Sequence, residues 1–314
     1  MTLKLIDAAE VERRLTMPIC IDLIARVQAA ISAGRVINPL RAIHPVAGGA
    51  GFFGLMPGEL ADEAIVGAKL VTLYPGNPAD YDLPAIQGYI LLFDRNTGTP
   101  TALIDAATVT AIRTAAASGA ATRVLANEDA TSLALLGYGV QAKTHLEAIR
   151  AVRNVREVRV WGPSMDKASV FAEREAHPDL EFVPVSTPDE AVAGANIVCA
   201  VSNAHEPIVL GSQLQPGCHV NLVGAHSPTT READAAVFQR SRVFTEITEA
   251  ALVEAGDILI PVEAGEYSAD QIAGEIGAVI NGDVEGRQSA DQITVYKSLG
   301  NTAQDLAAAS YLVG

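Results

Sequence analysis

A chain of 314 residues with 49% hydrophobic content has room for one large core or two ordinary ones, so it reads as a compact globular protein. Its 37 acidic against 22 basic side chains leave a formal charge of −15 with no basic cluster, which argues against nucleic acid and anionic membrane as partners. No apolar run reaches the ~20 residues that span a bilayer, and the first ten residues contain no signal-peptide core. Cys20, Cys199 and Cys218 are odd in number and lie in apolar sequence, which predicts buried thiols in a reducing cytoplasm and no disulfide or metal site.

In chain order, Thr16-Met17-Pro18 opens a helix with an N-cap and a proline in the first turn. Its apolar stripe is Ile21, Ile24, Val27 and Ile31, and Gly34 ends it. Short strands are predicted over Arg41–Pro45, Phe52–Met56, Ile65–Leu73 and Tyr89–Asp94, separated by turn clusters at 48–49, 57–58, 75–78 and 96–98. Asp94–Gly98 followed by Thr101–Ile104 has the form of a hairpin. Thr108–Leu125 and Asn301–Leu312 are alanine-rich helices, and so many small residues signal close approach to another backbone.

From residue 131 strands and helices alternate. Ser132–Leu136 is an apolar run, the chain turns through Gly137-Tyr138-Gly139, and Val140, Leu146 and Ile149 continue at helical spacing. The small residues of this G-x-G-x-x-A pattern fit a dinucleotide-binding turn. Gly137 permits the turn, Gly139 lets backbone approach a pyrophosphate, and Ala142 lets helix and strand pack closely. The helix N-terminus then offers N–H groups and a positive dipole end. Further strands are predicted at Val158–Trp161, Glu181–Val185, Asn196–Val201, His219–Val223 and Arg242–Thr245, with helices between them. The fold class is therefore α/β, with a Rossmann-type parallel sheet domain over 121–300.

Three cations interrupt segments that otherwise read as buried: Arg41, Lys69 and Arg113. Lys69 shares a strand face with Val71 and Leu73, and Arg113 a helix face with Val109, Ala116 and Ala120. A buried cation needs an anion. Internal salt bridges or snorkelling side chains satisfy that need; three such cations together also suit a pocket for a small carboxylate. His226 follows the strand His219–Val223, at the carboxyl end where open α/β sheets bind ligands. The six histidines make no metal-binding spacing, and neither a G-x-S-x-G nor a P-loop is present.

The sequence resembles the ornithine cyclodeaminase/mu-crystallin family. The matching segments are Gly51–Pro57, Gly67–Val71, Leu91–Asp94, Thr110–Ala116, Gly137–Ala142, Pro216–Asn221 and Thr294–Gly300, in order over nearly the whole chain. The resemblance implies a homodimer whose smaller α+β substrate-binding domain is formed by 1–120 together with the C-terminal helix, 301–314, with the Rossmann domain inserted between. It implies that Arg41, Lys69 and Arg113 hold the substrate carboxylate. It further implies that Thr114, Val140, Gln141, Ser202, Asn203, Val223 and Leu299 line a nicotinamide cofactor beside Gly137 and Gly139. Cyclodeaminases of the family carry a glutamate where this chain has Gly54 and an aspartate where it has His226. Cyclodeamination must manage a second amine and extra protons, so both departures imply the shorter reaction of the ketimine reductases. In that reaction a cyclic 2-imino acid, pyrroline- or piperideine-2-carboxylate, becomes proline or pipecolate. His226 is placed to hydrogen-bond the imine nitrogen or relay its proton. Reductive amination of a linear 2-oxo acid, cyclodeamination itself, and a non-enzymatic nucleotide-binding protein of crystallin type remain the alternatives. The second strand ends at Trp161 and no acid occupies its tip to read a ribose 2′-hydroxyl; Asp166 follows later, as a first-turn acid of the next helix or as an opponent of a phosphate. Ser164 and Lys167 instead suit a 2′-phosphate, so NADP or NAD is expected, with NADPH modestly preferred.

Overall fold

A computed structural model describes residues 3–46 and 48–314. The chain divides into two compact units, residues 1–113 with 300–314, and residues 114–299. The first cut falls within the helix Ala106–Leu125.

The first unit is built on a sheet of β1 (Lys4–Ile6), β2 (Val36–Ile37), β3 (Ala42–Pro45), β4 (Phe52–Leu60), β5 (Ile65–Leu73), β6 (Ile86–Asp94) and β7 (Pro100–Asp105). Their order is β1-β7-β6-β5-β4-β2, with β3 also on β4. β1 runs parallel to β7 and the other neighbours are antiparallel. The register aligns Met56, Lys69, Ile90, Ile104 and Ile6 as one cross-strand row. Lys69 is the single charge in that row. The C-terminal helix, Thr302–Val313, packs on β4, β5 and β6 and against the helix Met17–Ser32.

Two expectations need correction. Pro57-Gly58 is no turn: β4 runs through both residues to Leu60. β3 pairs with 52–55 and β2 with 59–60, so between them β4 has no strand partner on that side among the described residues, and a residue without an N–H is tolerated there. Likewise β6 begins at Ile86, not Tyr89. β1 and the helix Ala8–Arg14 were not anticipated.

The second unit is a parallel sheet of β8 (Ser132–Leu136), β9 (Glu157–Trp161), β10 (Glu181–Pro184), β11 (Ile197–Ala200), β12 (His219–Leu222), β13 (Ser241–Thr245), β14 (Ile272–Glu275) and β15 (Ile293–Lys297). The order is β10-β9-β8-β11-β12-β15-β13-β14. Direction of travel reverses between β8 and β11, and ligands of open α/β sheets bind at the carboxyl side of such a switch. Alternate residues of β8 and β11 enter two separate cores, Leu133, Leu135, Ile197 and Cys199 on one face and Ala134, Leu136, Val198 and Ala200 on the other. β14 and β15 were absent from the sequence reading. β15 inserts between β12 and β13, so the last strand of the unit becomes a central one.

Candidate functional site

In the first unit Lys69 and Arg113 are brought together by a residue that the sequence reading missed. Asp305, in the first turn of the C-terminal helix, is fully buried. Its Oδ2 lies 2.6 Å from Lys69 Nζ, and its Oδ1 accepts from Arg113 Nε at 2.9 Å. Arg113 Nη1 also donates to Gln304 Oε1 at 3.3 Å. The guanidinium lies against Gly300 where a Cβ would sit, and Gly300 has φ +73°.

Burial pulls the Lys69 ammonium down to about 8; Asp305 opposes that shift, and the charges of Arg113 and Arg41 add to it. Burial works against the Asp305 carboxylate too, but Arg113 and Lys69 outweigh it and hold the carboxyl below its ordinary range. Burial raises the neighbouring Cys20 thiol to about 12. Two buried cations therefore share one carboxylate, and a half-exposed third, Arg41, is close enough to be felt by Lys69. Positive charge is in excess, and a buried excess of this kind is relieved by an anion.

In the second unit the glycine turn has the shape expected of a dinucleotide site. Gly137 holds φ +136°, and a Cβ there would stand 2.8 Å from Val201 O. A Cβ at Gly139 would meet nothing within 4 Å, so that side of the turn is open. Gly139 is also the N-cap of the helix Val140–Val152, with no side-chain cap. The first N–H groups of that helix are thus available to phosphate oxygens. Ala142 is fully buried against the sheet, Val140 is exposed, and Gln141 Oε1 is buried with no partner among the described residues. These features fit a dinucleotide pyrophosphate.

The other predicted residues fall as follows. Ser164 caps the helix Met165–Arg174 by accepting from Lys167 N, which leaves its hydroxyl proton to donate. The ring of Tyr138 covers Gly162, where no Cβ fits. Thr114 is buried and Asn203 exposed. Leu299 N donates to Glu246 Oε2 at 3.3 Å, and Glu246 Oε1 accepts from Tyr296 and Ser298 hydroxyls, both at 2.8 Å. Val223 N donates to Ala200 O at 3.0 Å. His226 Nδ1 donates to Gly224 O at 2.9 Å, so in the neutral ring Nε2 carries the lone pair.

The sequence reading named none of the buried carboxylates Asp305, Glu232, Asp257 and Glu246. Asp305 reads as an ordinary first-turn acid of an alanine-rich helix. Lys297 was legible only as part of the Thr294–Gly300 segment.

Sheet order, glycine turn and uncapped helix together define a Rossmann-type dinucleotide-binding protein. The chain belongs to the ornithine cyclodeaminase/mu-crystallin family, whose sequence profile matches residues 2–313. It is 36% identical over 310 residues to a delta(1)-pyrroline-2-carboxylate reductase of Bacillus cereus, covering 98% of this chain and 94% of the relative. It is 38% identical over 276 residues to the ketimine reductase mu-crystallin of Mus musculus, covering 88% and 84%. Among solved structures it is similar to Thermococcus litoralis delta(1)-pyrroline-2-carboxylate reductase in complex with NADH and L-proline. The TM-score is 0.95 at 33% identity, over 99% of this chain and 96% of that one.

Proposed function

We propose that this protein is an NAD(P)H-dependent reductase of cyclic 2-imino acids, converting pyrroline-2-carboxylate or piperideine-2-carboxylate to L-proline or L-pipecolate. The carrying observation is the excess positive charge around Asp305. Arg113 and Lys69 present charged donors that one carboxylate does not exhaust, and a substrate carboxylate completes the set. A relative bearing the reductase name, and a similar structure holding NADH and L-proline, support the same reading.

A nicotinamide cofactor, its pyrophosphate held at the glycine turn and the helix N-terminus, would supply the hydride for the imine carbon. The chain's own residues bind and orient. Arg113, Lys69 and Arg41 anchor the carboxylate and so fix which carbon is presented. The helix N-terminus at Gly139 and Val140 holds phosphate. His226, its ring oriented by Gly224 O, holds or passes the proton that the imine nitrogen gains.

Position 54 favours this shorter reaction over cyclodeamination. A Cβ at Gly54 would lie 3.2 Å from Ile43 Cδ1 and 3.4 Å from Val71 Cγ2, so the place of the cyclodeaminase glutamate is lined by apolar side chains. The finer reading of the cofactor is a modest preference for NADPH, supported by the acid-free tip after Trp161 and by Ser164 and Lys167. The finer reading of assembly is a homodimer through the sheet face opposite Lys69, where Phe53, Leu55, Tyr89 and Leu5 are exposed. Sedimentation as a dimer, lost on Leu55→Lys, is the expected result.

The activity test is a substrate panel with purified protein. Cyclic 2-imino acids are expected to drive NAD(P)H oxidation without ammonia. Proline and ammonia from ornithine, or oxidation that needs both a 2-oxo acid and ammonia, would replace this reading by one of its alternatives.

A further inference from the structure

Three ionisable side chains lie buried in the second unit beneath the carboxyl ends of β11 and β12: Glu232, Asp257 and Lys297. Lys297, at the end of β15, has its ammonium 2.9 Å from Asp257 Oδ2. It also donates to Ala225 O at 2.6 Å and Leu222 O at 3.4 Å. Asp257 Oδ1 accepts the backbone N–H groups of Glu232 at 2.7 Å and Ala233 at 3.0 Å. Glu232 then forks across two strand ends. Its Oε1 accepts from Ser202 N at 2.8 Å and Ser202 Oγ at 2.7 Å, and its Oε2 accepts from Gly224 N at 2.6 Å. A Cβ at Gly224 would collide with Ser202 O and Glu232 Oε1, so the two strand ends close on each other without space for a side chain.

This arrangement solves a problem set by the topology. Chain leaving a parallel strand carries N–H groups that the ladder no longer pairs, and buried donors must find acceptors. One carboxylate serves two strands at once, with a separation fixed by its own geometry. Burial and the charge of Asp257 raise the Glu232 carboxyl, while Lys297 and the Ser202 donors oppose them. Three donors converge on its two oxygens and no described acceptor faces them, so the group acts as an ionised acceptor. A glutamine there would turn its NH₂ toward at least one of the backbone N–H groups.

We propose that Glu232 is a positioning residue of the cofactor site, held by Asp257 and Lys297. It locks the ends of β11 and β12 in the spacing at which Ser202, Asn203 and Val223 line the dinucleotide, and it fixes the loop that carries His226. The proposal rests on the reading of this switch point as the nicotinamide site. It touches neither substrate nor cofactor; it acts through Ser202 and Gly224.

The test compares full-length wild type with Glu232→Gln. Cofactor affinity is read by energy transfer to NADPH from Trp161, the single tryptophan. The expected result is a dissociation constant raised roughly tenfold or more, with lower kcat. The imino-acid KM at saturating cofactor stays within about twofold, because the carboxylate anchors are elsewhere. A folded Glu232→Gln that binds NADPH as wild type does overturns the proposal and leaves the cofactor reading standing. Wild type that binds no nicotinamide cofactor overturns that reading and the proposal with it. Hydrogen exchange on the unmodified protein gives a second, fold-independent check. The Ser202 and Gly224 amides should exchange as slowly as strand-interior amides, whereas rates matching exposed Asn203 contradict the clamp.

Discussion

Two buried charge clusters, one in each unit, are near mirror images in composition. Lys69, Arg113 and Asp305 set two cations on one carboxylate; Glu232, Asp257 and Lys297 set one cation beside two carboxylates. The difference lies in who satisfies the surplus. The extra carboxylate of the second cluster is met by Ser202 and Gly224 donors, so that cluster is closed within the protein. The surplus in the first is positive, and backbone N–H groups offer nothing to a cation. Gln304 Oε1 meets one Arg113 nitrogen. A closed cluster builds structure, whereas an unbalanced one suits a ligand, which is the role proposed for the first.

The largest way to break the comparison is Asp305→Asn. It leaves Lys69 and Arg113 buried with no carboxylate, and a loss of about 3–5 kcal/mol in unfolding free energy is expected by chemical denaturation. Arg113→Ala should act chiefly on function. Charged hydrogen bonds contribute about 1.5–3 kcal/mol, so kcat/KM for the imino acid should fall at least about ten- to hundredfold. If the cluster were only structural, that variant would lose thermal stability and keep its activity per folded molecule.

A smaller effect separates binding from stability by sign. Lys69 is charged below about 8 and loses its proton above, while its ordinary value is 10.5. Imino-acid KM should therefore rise as pH passes about 8, relative to a Lys69→Gln variant lacking that inflection. Between about 8 and 10.5 the unfolded chain holds the proton that the folded chain has released, so this group makes folding more favourable as pH rises. The smallest effect is the cofactor ratio. NADPH should exceed NADH in kcat/KM by less than about tenfold, and an NADH preference beyond about tenfold, 1.4 kcal/mol, would mean that another acid reads the ribose.

The cations of the first cluster were legible because each interrupts an apolar segment whose period fixes its face: Lys69 in Ile65–Leu73, Arg113 among the alanines. Their partner was not, since an acid in the first turn of a helix is ordinary and the pairing joins residues 192 positions apart. Glu232 sits in polar connecting sequence that reads as solvated, and Asp257 in the first turn of the helix Gly256–Glu263, where an acid is ordinary; only the fold brings them under the strand ends. Glycine turns were legible where the backbone demanded them, as at Gly137, and misread at Pro57-Gly58, where a gap between β2 and β3 accommodates the proline. The β-branched and aromatic run Ile293–Tyr296 is itself a local strand signal; what local pattern does not carry is its insertion between β12 and β13.

The most direct test of the central claim, that the unbalanced cluster receives a substrate carboxylate, is the rate of NADPH oxidation with pyrroline-2-carboxylate against 1-pyrroline. The two imines differ only by that carboxylate. Oxidation with the acid, falling by about a hundredfold or more in kcat/KM for the unsubstituted imine, is the predicted result. Equal efficiency on both would contradict the account, and would return Lys69, Arg113 and Asp305 to the role of an internal ion cluster.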